Sequence, residues 1–318
     1  MTGPSDSRDL TAGAAPSGGT QHLGIDLGGT NLKWAVIERG SDAWQVLDRG
    51  RVRTPASGGP DAVVGRMVDL AREAAERWPA IGSVGVGVPG LYDPATGRTR
   101  FIVNIPGAWA DHPVAEPIAT AVERPVALIN DARAFGLAEL RLGAGRGARS
   151  MVGLTLGTGV GGVIAIDGRI HLGHDGTAGE LGHQTIDPDG PTCGCGDNGC
   201  LEAFVRADRF AEACGTATVK EAVIAARAGD ARAMAGVLRV GRYLGIGIAN
   251  MIEVITPDRV VIGGGISAAS DLLFGPIRTE LERRVRTTSL ARVEMVVAEL
   301  GTWAGSIGAA VHGADEAP

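Results

Sequence analysis

The alternation of apolar and polar positions predicts strands and helices that follow one another from His22 onward. Apolar runs lie on both sides of Gly28-Gly29, which is typical of a β-hairpin. A later stretch repeats Val, Met and Leu at helical spacing on one face and Arg and Glu on the other. The predicted elements are a hairpin over residues 22–37, a strand over 43–53, a helix over 61–78 and a strand over 83–88.

The rest of the chain continues this alternation, with short apolar runs between longer amphipathic stretches. Strands are predicted over residues 126–129, 151–156, 259–262 and 293–298, and helices over 132–142, 207–214, 219–228, 230–254 and 303–311. Strands that alternate with helices indicate an α/β fold. Residues 1–21 are mostly Ser, Gly, Ala, Pro and Thr, a composition that predicts a disordered tail.

The tip of the predicted hairpin carries a glycine turn with an acidic residue just before it. The residues at this tip are Asp26, Gly28, Gly29, Thr30, Asn31 and Lys33. Backbone N–H groups in a glycine turn can approach a phosphate closely because no side chain intervenes. Taken alone, the motif is equally compatible with a structural hairpin turn.

Three of the four cysteines fall within eight positions, which indicates a metal site. Cys193, Cys195 and Cys200 alternate with glycines that let the backbone fold tightly, and His183 lies ten residues upstream of Cys193. Three thiolates and one imidazole form a common tetrahedral zinc set that leaves no position open for a reacting water. The sequence therefore predicts a structural Zn²⁺. The alternatives are idle cysteines in a glycine-rich loop, or a disulfide, which such close spacing would strain.

Two glutamates flank this metal loop. Glu180 precedes His183 by three residues, so on a helical turn their side chains share a face, and Glu202 lies two residues after Cys200. A loop held by a metal is a rigid support for a binding site, so these side chains are candidates for contact with a ligand. The alternative for Glu180 is a solvated helix carboxylate, and the alternatives for Glu202 are a cap or a salt-bridge partner.

Three motifs together identify a family. They are Leu-Gly-Thr-Gly-Val-Gly-Gly from Leu156, Ala-Gly-Glu-Leu-Gly-His from Ala178, and Cys-Gly-Cys-Gly-Asp-Asn-Gly-Cys-Leu-Glu from Cys193. The combination resembles the ROK family, which includes bacterial glucokinases, other sugar kinases and transcriptional repressors. The resemblance extends from about residue 22 to the final predicted helix.

The resemblance implies a two-domain actin-like ATPase fold of the hexokinase and Hsp70 type, with the active-site cleft between the domains. It assigns residues 22–133, with a returning helix over 302–315, to an N-terminal α/β domain. Residues 134–301 form a C-terminal α/β domain with the zinc loop. The implied activity is phosphoryl transfer from ATP to a sugar. Glucose, phosphorylated on its 6-hydroxyl, is the default substrate, and an N-acetyl hexosamine, fructose or a cyclitol is the alternative.

The resemblance also implies three loops that hold the nucleotide. In the hairpin turn, Asp26 holds Mg²⁺, often through water, and Thr30 and Lys33 lie near the phosphates. The second phosphate loop contains Gly157, Thr158, Gly159 and Gly161. The adenosine loop contains Gly263, Gly264 and Gly265, where the base and ribose can lie on the backbone. A structural turn is the alternative for this last loop.

Asp131 matches the family's catalytic base, which accepts the proton of the attacking hydroxyl. It follows Asn130 at the carboxyl end of a predicted strand, where open α/β sheets bind ligands, although a helix N-cap is the alternative. The amide of Asn104 suits sugar hydroxyls because it both donates and accepts, and Asn130 would orient the same sugar. The sugar site would thus contain Asn104, Asn130, Asp131, Glu180, His183 and Glu202. The family's Asn-x-Pro-Gly-Trp motif has one extra residue here, Ala108, before Trp109.

Composition and charge restrict the partners and the compartment. The formal net charge is −6 and no dense Lys/Arg stripe is present, which argues against nucleic-acid binding. The sequence has no apolar run of about 18 residues and no signal peptide, so no membrane partner is expected. With free thiols as zinc ligands, these features predict a cytoplasmic protein. The resemblance adds a homo-oligomer, a dimer or tetramer, and a role in carbohydrate metabolism through glycolysis.

Two further function classes remain at this stage. A sugar-sensing regulator would keep the fold without catalysis, but the family's repressors carry a helix-turn-helix domain before the sugar-binding part, and the 21-residue tail is too short for one. A zinc-stabilised binding module without chemistry would show no affinity for ATP.

Overall fold

The computed structural model describes residues 18–40 and 43–317. Of the predicted disordered tail, residues 1–21, the first 17 residues lie outside the described part of the chain. The prediction is wrong for Thr20 and Gln21, which begin the first strand because they pair with Arg39 and Glu38 across the hairpin.

The described elements alternate much as the apolar pattern predicts. The strands are β1 (Thr20–Leu27), β2 (Asn31–Arg39), β3 (Trp44–Arg53), β4 (Ile81–Val88), β5 (Gly90–Asp93), β6 (Arg98–Ile102), β7 (His112–Pro113), β8 (Val126–Asn130), β9 (Met151–Leu156), β10 (Val160–Ile166), β11 (Arg169–Ile170), β12 (Arg259–Gly263) and β13 (Glu294–Val297). The helices are α1 (Gly59–Arg77), α2 (Ala115–Val122), α3 (Asp131–Leu142), α4 (Leu201–Val205), α5 (Ala207–Cys214), α6 (Val219–Arg227), α7 (Ala231–Ile255), α8 (Ser270–Arg284) and α9 (Ala304–Asp315).

The chain divides into two compact units, one of residues Met1–Gly143 with Thr302–Pro318 and one of Ala144–Gly301. The border expected after residue 133 falls inside α3. This helix packs along α9 and therefore stays with the first unit.

The first unit is built on a five-stranded sheet with the order β3-β2-β1-β4-β8. β1, β2 and β3 are antiparallel neighbours, whereas β4 and β8 run parallel to β1. The apolar face of α1 joins Leu23 and Ile25 of β1 in one buried cluster. A separate three-stranded sheet, β5-β6-β7, follows β4 along the chain.

Helix α9 packs on the opposite face of this sheet at very short range. Because side chains alternate along a strand, Gly24 of β1 faces away from the cluster that contains its neighbours Leu23 and Ile25. A methyl group on Gly24 would lie 1.8 Å from the carbonyl oxygen of Ser306, and one on Gly85 of β4 would lie 1.7 Å from that of Ala309. Glycine at these two positions is therefore what lets the helix contact the strand backbones directly.

The second unit has a five-stranded sheet with the order β11-β10-β9-β12-β13. β9, β10 and β11 are antiparallel neighbours, and β12 and β13 run parallel to β9. Each unit thus begins with an antiparallel meander and continues with two parallel strands. This shared order agrees with the expected actin-like fold, in which the two domains resemble each other.

Helix α8 was not predicted from the sequence. Pro276 lies inside it, and its apolar residues Leu273, Ile277 and Leu281 are sparse among polar ones. The helix forms because these residues pack into the core of the second unit, where Pro276 lies against Gly241 of α7. Among the described residues, no helix is long and apolar enough to cross a membrane.

Candidate active site

The first glycine turn lies at the tip of the β1–β2 hairpin, as predicted. Asp26 and Lys33 are directly opposite in the register, and Lys33 Nζ lies 3.5 Å from Asp26 Oδ2. Burial raises the pKa of the Asp26 carboxyl, and Lys33 opposes this shift. A mostly buried carboxylate beside a glycine turn is a suitable magnesium ligand, since Mg²⁺ prefers oxygen donors.

Thr54, directly after β3, fixes the shape of this turn. Its N–H donates to the Thr30 carbonyl at 3.0 Å, and its hydroxyl donates to the Gly28 carbonyl at 2.6 Å. Thr54 is not predictable from the sequence, because a lone threonine after a strand carries no recognisable pattern.

Gly305 of α9 also positions Asp26. A methyl group on Gly305 would lie 2.7 Å from Asp26 Cγ and 2.8 Å from Oδ2, so the carboxylate occupies the space that a side chain would need. The role of Gly305 is not predictable from the sequence either, because residues 303–311 indicate only a helix rich in small residues.

The predicted sugar residue Asn104 lies next to the same turn. Its carbonyl oxygen lies 3.0 Å from the position of a methyl group on Gly29. Asn104 is exposed and has a left-handed φ of 62°. Trp109 is buried, and its indole N–H donates to the Ile105 carbonyl at 3.1 Å, so the extra residue Ala108 is accommodated without exposing the tryptophan.

Asn130, rather than Asp131, is the N-cap of α3. Asn130 Oδ1 accepts the N–H groups of Ala132 and Arg133 at 3.0 and 3.3 Å, and its amide donates to the Gly90 carbonyl at 3.2 Å. Asp131 occupies the first helical position after β8, and its Oδ1 accepts the Ala132 N–H at 2.8 Å. The cap therefore anchors the strand-to-helix junction that carries the Asp131 carboxylate.

In the second unit, two of the predicted nucleotide loops line one cavity. Gly157 and Thr158 of the phosphate loop and Gly265 of the adenosine loop border a cavity of about 650 Å³, a size typical of small-molecule sites. Gly264 has a φ of 83°, and a methyl group on it would lie 2.3 Å from the Leu156 carbonyl oxygen. This close contact holds the predicted adenosine loop against β9, the strand that leads into the predicted phosphate loop.

One wall of this cavity comes from α6, for which the sequence predicts a helix but no functional role. Its cavity-lining residues are Val219, Lys220, Val223, Ile224 and Arg227. Arg227 is held by Asp271 at 2.9 Å and by the Ala268 carbonyl at 3.1 Å. Ile224 is 58% exposed and adds an apolar surface beside the glycine loops.

The metal ligands predicted from the sequence converge. His183, Cys193, Cys195 and Cys200 place one ligand atom each within 4.8 Å of one another. His183 Nδ1 lies 3.6 Å from Cys193 Sγ, and the sulfurs of Cys195 and Cys200 are 3.7 Å apart. Tetrahedral zinc with ordinary bond lengths requires about 3.5 Å between nitrogen and sulfur and about 3.8 Å between sulfurs. The four residues therefore fit Zn²⁺.

The other predicted sugar residues of this unit surround the metal site. Glu180 directly precedes a short 3₁₀ turn, Leu181–His183, and its Oε2 lies 4.0 Å from His183 Nε2. Nδ1 of His183 faces Cys193, and Nε2 is the ring nitrogen that faces Glu180. Glu202 Oε2 accepts the Val160 N–H at 2.8 Å, so this glutamate also contacts the second phosphate loop.

The chain is similar to curated glucokinases over most of its length. It is 35% identical to the glucokinase of Thermotoga maritima, covering 91% of this chain and 95% of that protein. It is 34% identical to the glucokinase of Halalkalibacterium halodurans, covering 90% and 93%. An N-acetyl-D-glucosamine kinase of Escherichia coli is 32% identical over 83% of this chain and 88% of its own.

Solved structures of similar fold include sugar kinases. A ROK hexokinase from Thermus thermophilus matches with a TM-score of 0.81 and 34% identity, covering 93% of this chain and 99% of that chain. A ROK family glucokinase from Streptomyces griseus, solved with glucose and AMPPNP, matches with a TM-score of 0.77 and 28% identity, covering 93% of this chain and 99% of that chain. The ROK family model matches residues 22–315. The chain therefore belongs to the ROK family.

Proposed function

We propose that this chain is an ATP-dependent glucokinase that transfers the γ-phosphate of ATP to the 6-hydroxyl of glucose. The observation that carries the proposal is the position of Asp131, on the first turn of α3 at the end of β8, in a chain related to glucokinases over about nine-tenths of its length. Its Oδ1 accepts the Ala132 N–H, which orients the carboxylate. In this orientation Asp131 accepts the proton of the sugar hydroxyl as the oxygen attacks phosphorus.

The nucleotide would be held by glycine turns. In the second unit, the cavity between Gly157, Thr158 and Gly265 would hold ATP, with the base against the apolar residues of α6. In the first unit, Gly28, Gly29, Thr30, Asn31 and Lys33 would contribute the other phosphate turn. Asp26 would hold Mg²⁺, which supplies charge neutralisation for the phosphates when bound.

The sugar would be recognised by polar side chains. The proposed contacts are Asn104, Asn130, Asp131, Glu180, His183 and Glu202. Asn130 has two amide hydrogens, and the bond to Gly90 uses one of them. His183 would bind Zn²⁺ through Nδ1 and a sugar hydroxyl through Nε2, so the metal would fix the orientation of a substrate ligand.

A coupled assay of ADP release tests the activity. With ATP and Mg²⁺, we expect strong turnover on glucose and weak turnover on fructose, N-acetylglucosamine and a cyclitol. Asp131→Asn should reduce kcat by about 10²–10⁴-fold, the contribution of a correctly placed general base. Asp69→Asn, which changes an exposed aspartate on α1, is the matched control and should retain full kcat. Near-normal turnover of Asp131→Asn would remove this residue from the mechanism.

The second candidate is a kinase for N-acetyl hexosamines, which the similarity to N-acetyl-D-glucosamine kinase favours. It shares the mechanism and differs in the substrate panel, where N-acetylglucosamine would be turned over and glucose would not. A non-catalytic sensor would bind sugar without releasing ADP.

We also propose a cytoplasmic homo-oligomer that acts in glycolysis. Thiolate ligands to zinc persist in a reducing compartment, which supports the cytoplasm. The dimer or tetramer rests on family membership, and light scattering of the purified protein tests it.

A further inference from the structure

Glu202 lies between the metal ligands and the second phosphate loop. It is on α4, which begins directly after Cys200. Its Oε1 lies 3.6 Å from Cys193 Sγ, and its Oε2 accepts the Val160 N–H at 2.8 Å. One carboxylate thus contacts a metal ligand on one side and the backbone of the loop on the other.

The Glu202 carboxylate packs against Gly159 of the second phosphate loop. A methyl group on Gly159 would lie 2.6 Å from Glu202 Oε2, so the glutamate fills the space beside the glycine. The residues on either side of Glu202 are buried, with Leu201 at 0% and Ala203 at 3% exposure. Ala203 also packs with Cys193 and Cys200 in one buried cluster. The metal ligands therefore support the helix turn that carries Glu202.

A second hydrogen bond holds the other end of the same loop. The Ala207 N–H, at the start of α5, donates to the Gly157 carbonyl at 2.8 Å. Residues 157 and 160 are therefore both tied to the short segment 202–207 that follows Cys200. Because both ends of the loop are hydrogen-bonded to this segment, a shift of α4 would move the whole loop.

We propose that Glu202 is a positioning residue for the nucleotide, through which occupancy of the metal site controls the shape of the second phosphate loop. The inference rests on the proposed function for the role of that loop in ATP binding. When the metal holds Cys193 and Cys200, α4 keeps the Glu202 carboxylate against Val160 and fixes the loop for phosphate contact. When the metal is lost, α4 loses this support and the loop becomes mobile.

Deuterium exchange tests the positioning role without any nucleotide. In Glu202→Ala, the Val160 amide should exchange at least about tenfold faster, since hydrogen bonds to charged groups are among the stronger ones. Glu202→Gln keeps an oxygen that accepts the Val160 N–H and should restore slow exchange. Glu212→Ala, which changes an exposed glutamate on α5, is the control and should leave residues 157–162 unchanged. Unchanged exchange of Val160 in Glu202→Ala would overturn the inference.

Calorimetric titration with AMPPNP and, separately, with glucose tests the coupling to the metal. For the wild type, chelating the metal under reducing conditions should raise the Kd for AMPPNP about tenfold, an effect of the size expected for a coupled loop. Glu202→Ala should show the same weakening with the metal present and little further change after chelation. If Glu202→Ala weakens glucose and leaves AMPPNP within twofold, the residue is a sugar ligand only.

The two proposals can fail separately. If the wild-type protein with its metal binds no AMPPNP, the proposed function is wrong, and the exchange of Val160 still reports whether Glu202 fixes the loop.

Discussion

Replacing Gly305 by alanine should displace the Asp26 carboxylate. The new methyl group would lie 2.7 Å from Asp26 Cγ and 2.8 and 3.0 Å from its two oxygens. Carbon atoms in contact are normally about 3.5–4.0 Å apart, so the carboxylate or α9 must shift by about 0.8–1.3 Å. The helix has no room to retreat from the sheet, because it also packs on α3, where a methyl group on Gly308 would lie 1.8 Å from the Ala134 carbonyl oxygen. Asp26 is therefore the group that moves.

The size of the effect follows from this displacement. A misplacement of about 1 Å in an active site can cost roughly 10²-fold in rate, so we expect kcat/KM for ATP to fall about 10–100-fold. Alanine is a better helix former than glycine by about 1 kcal/mol, whereas overpacking typically costs about 1–3 kcal/mol. The variant should thus be destabilised by about 0–2 kcal/mol, too little to unfold the protein and explain the kinetic loss.

The assay compares Gly305→Ala with Gly65→Ala, a matched control in α1. A methyl group on Gly65 meets nothing within 4 Å, so this variant should gain up to about 1 kcal/mol of stability and keep its kinetics. ADP release is measured against ATP and Mg²⁺, and thermal unfolding is measured for both proteins. In an Asp26→Asn background, Gly305→Ala should add little further kinetic loss. If Gly305→Ala alone keeps kcat/KM and the Mg²⁺ dependence within twofold of wild type, the positioning argument is refuted.

Three further predictions concern other parts of the molecule. Cys195→Ser removes an exposed thiol of the His–Cys cluster, so the variant should bind less zinc, measured by mass spectrometry, and should have a lower Tm. A full complement of zinc in the variant would exclude Cys195 as a ligand. Burial lowers the pKa of His312, whose Nε2 lies 2.9 Å from the Leu128 carbonyl oxygen. Below about pH 6.5, the ordinary pKa of histidine, the imidazole of residue 312 binds a proton in the unfolded chain more readily than in the folded chain. The free energy of unfolding should therefore fall as the pH drops from 7 to 5, and His312→Gln should make it depend less on pH. Ile224→Glu should raise the KM for ATP about tenfold by removing apolar surface from the cavity, whereas Ile166→Glu, at a similarly exposed position outside the lining, should not.

The sequence could predict those elements whose apolar periodicity is strong and those ligands whose chemistry is distinctive. The cysteines and His183 are a case in point, because soft ligands at close spacing have few other uses. The hairpin of β1 and β2 was likewise predictable, since apolar runs flank a glycine turn.

Other features depend on contacts between residues that are distant along the chain. Helix α8 carries Pro276 and a weak apolar pattern, and only packing on α7 explains it. Thr54 and Gly305 shape the first phosphate turn through contacts over 24 or more positions of sequence, which no local pattern records. Asn130 caps α3 because it precedes the helix in extended conformation and its Oδ1 accepts the N–H groups of Ala132 and Arg133, whereas Asp131 is already the first helical residue.

The position of α9 in the chain has a consequence for folding during synthesis. The second unit, residues 144–301, is continuous and can complete its core while the chain is still growing. The sheet of the first unit must wait for residues 304–315 before its glycine-lined face is covered. Translation at roughly 5–20 residues per second adds the intervening 158 residues in about 8–32 s. During that time a nascent sheet surface is open to chaperones or to neighbouring chains, so truncation before α9 should yield an aggregating product.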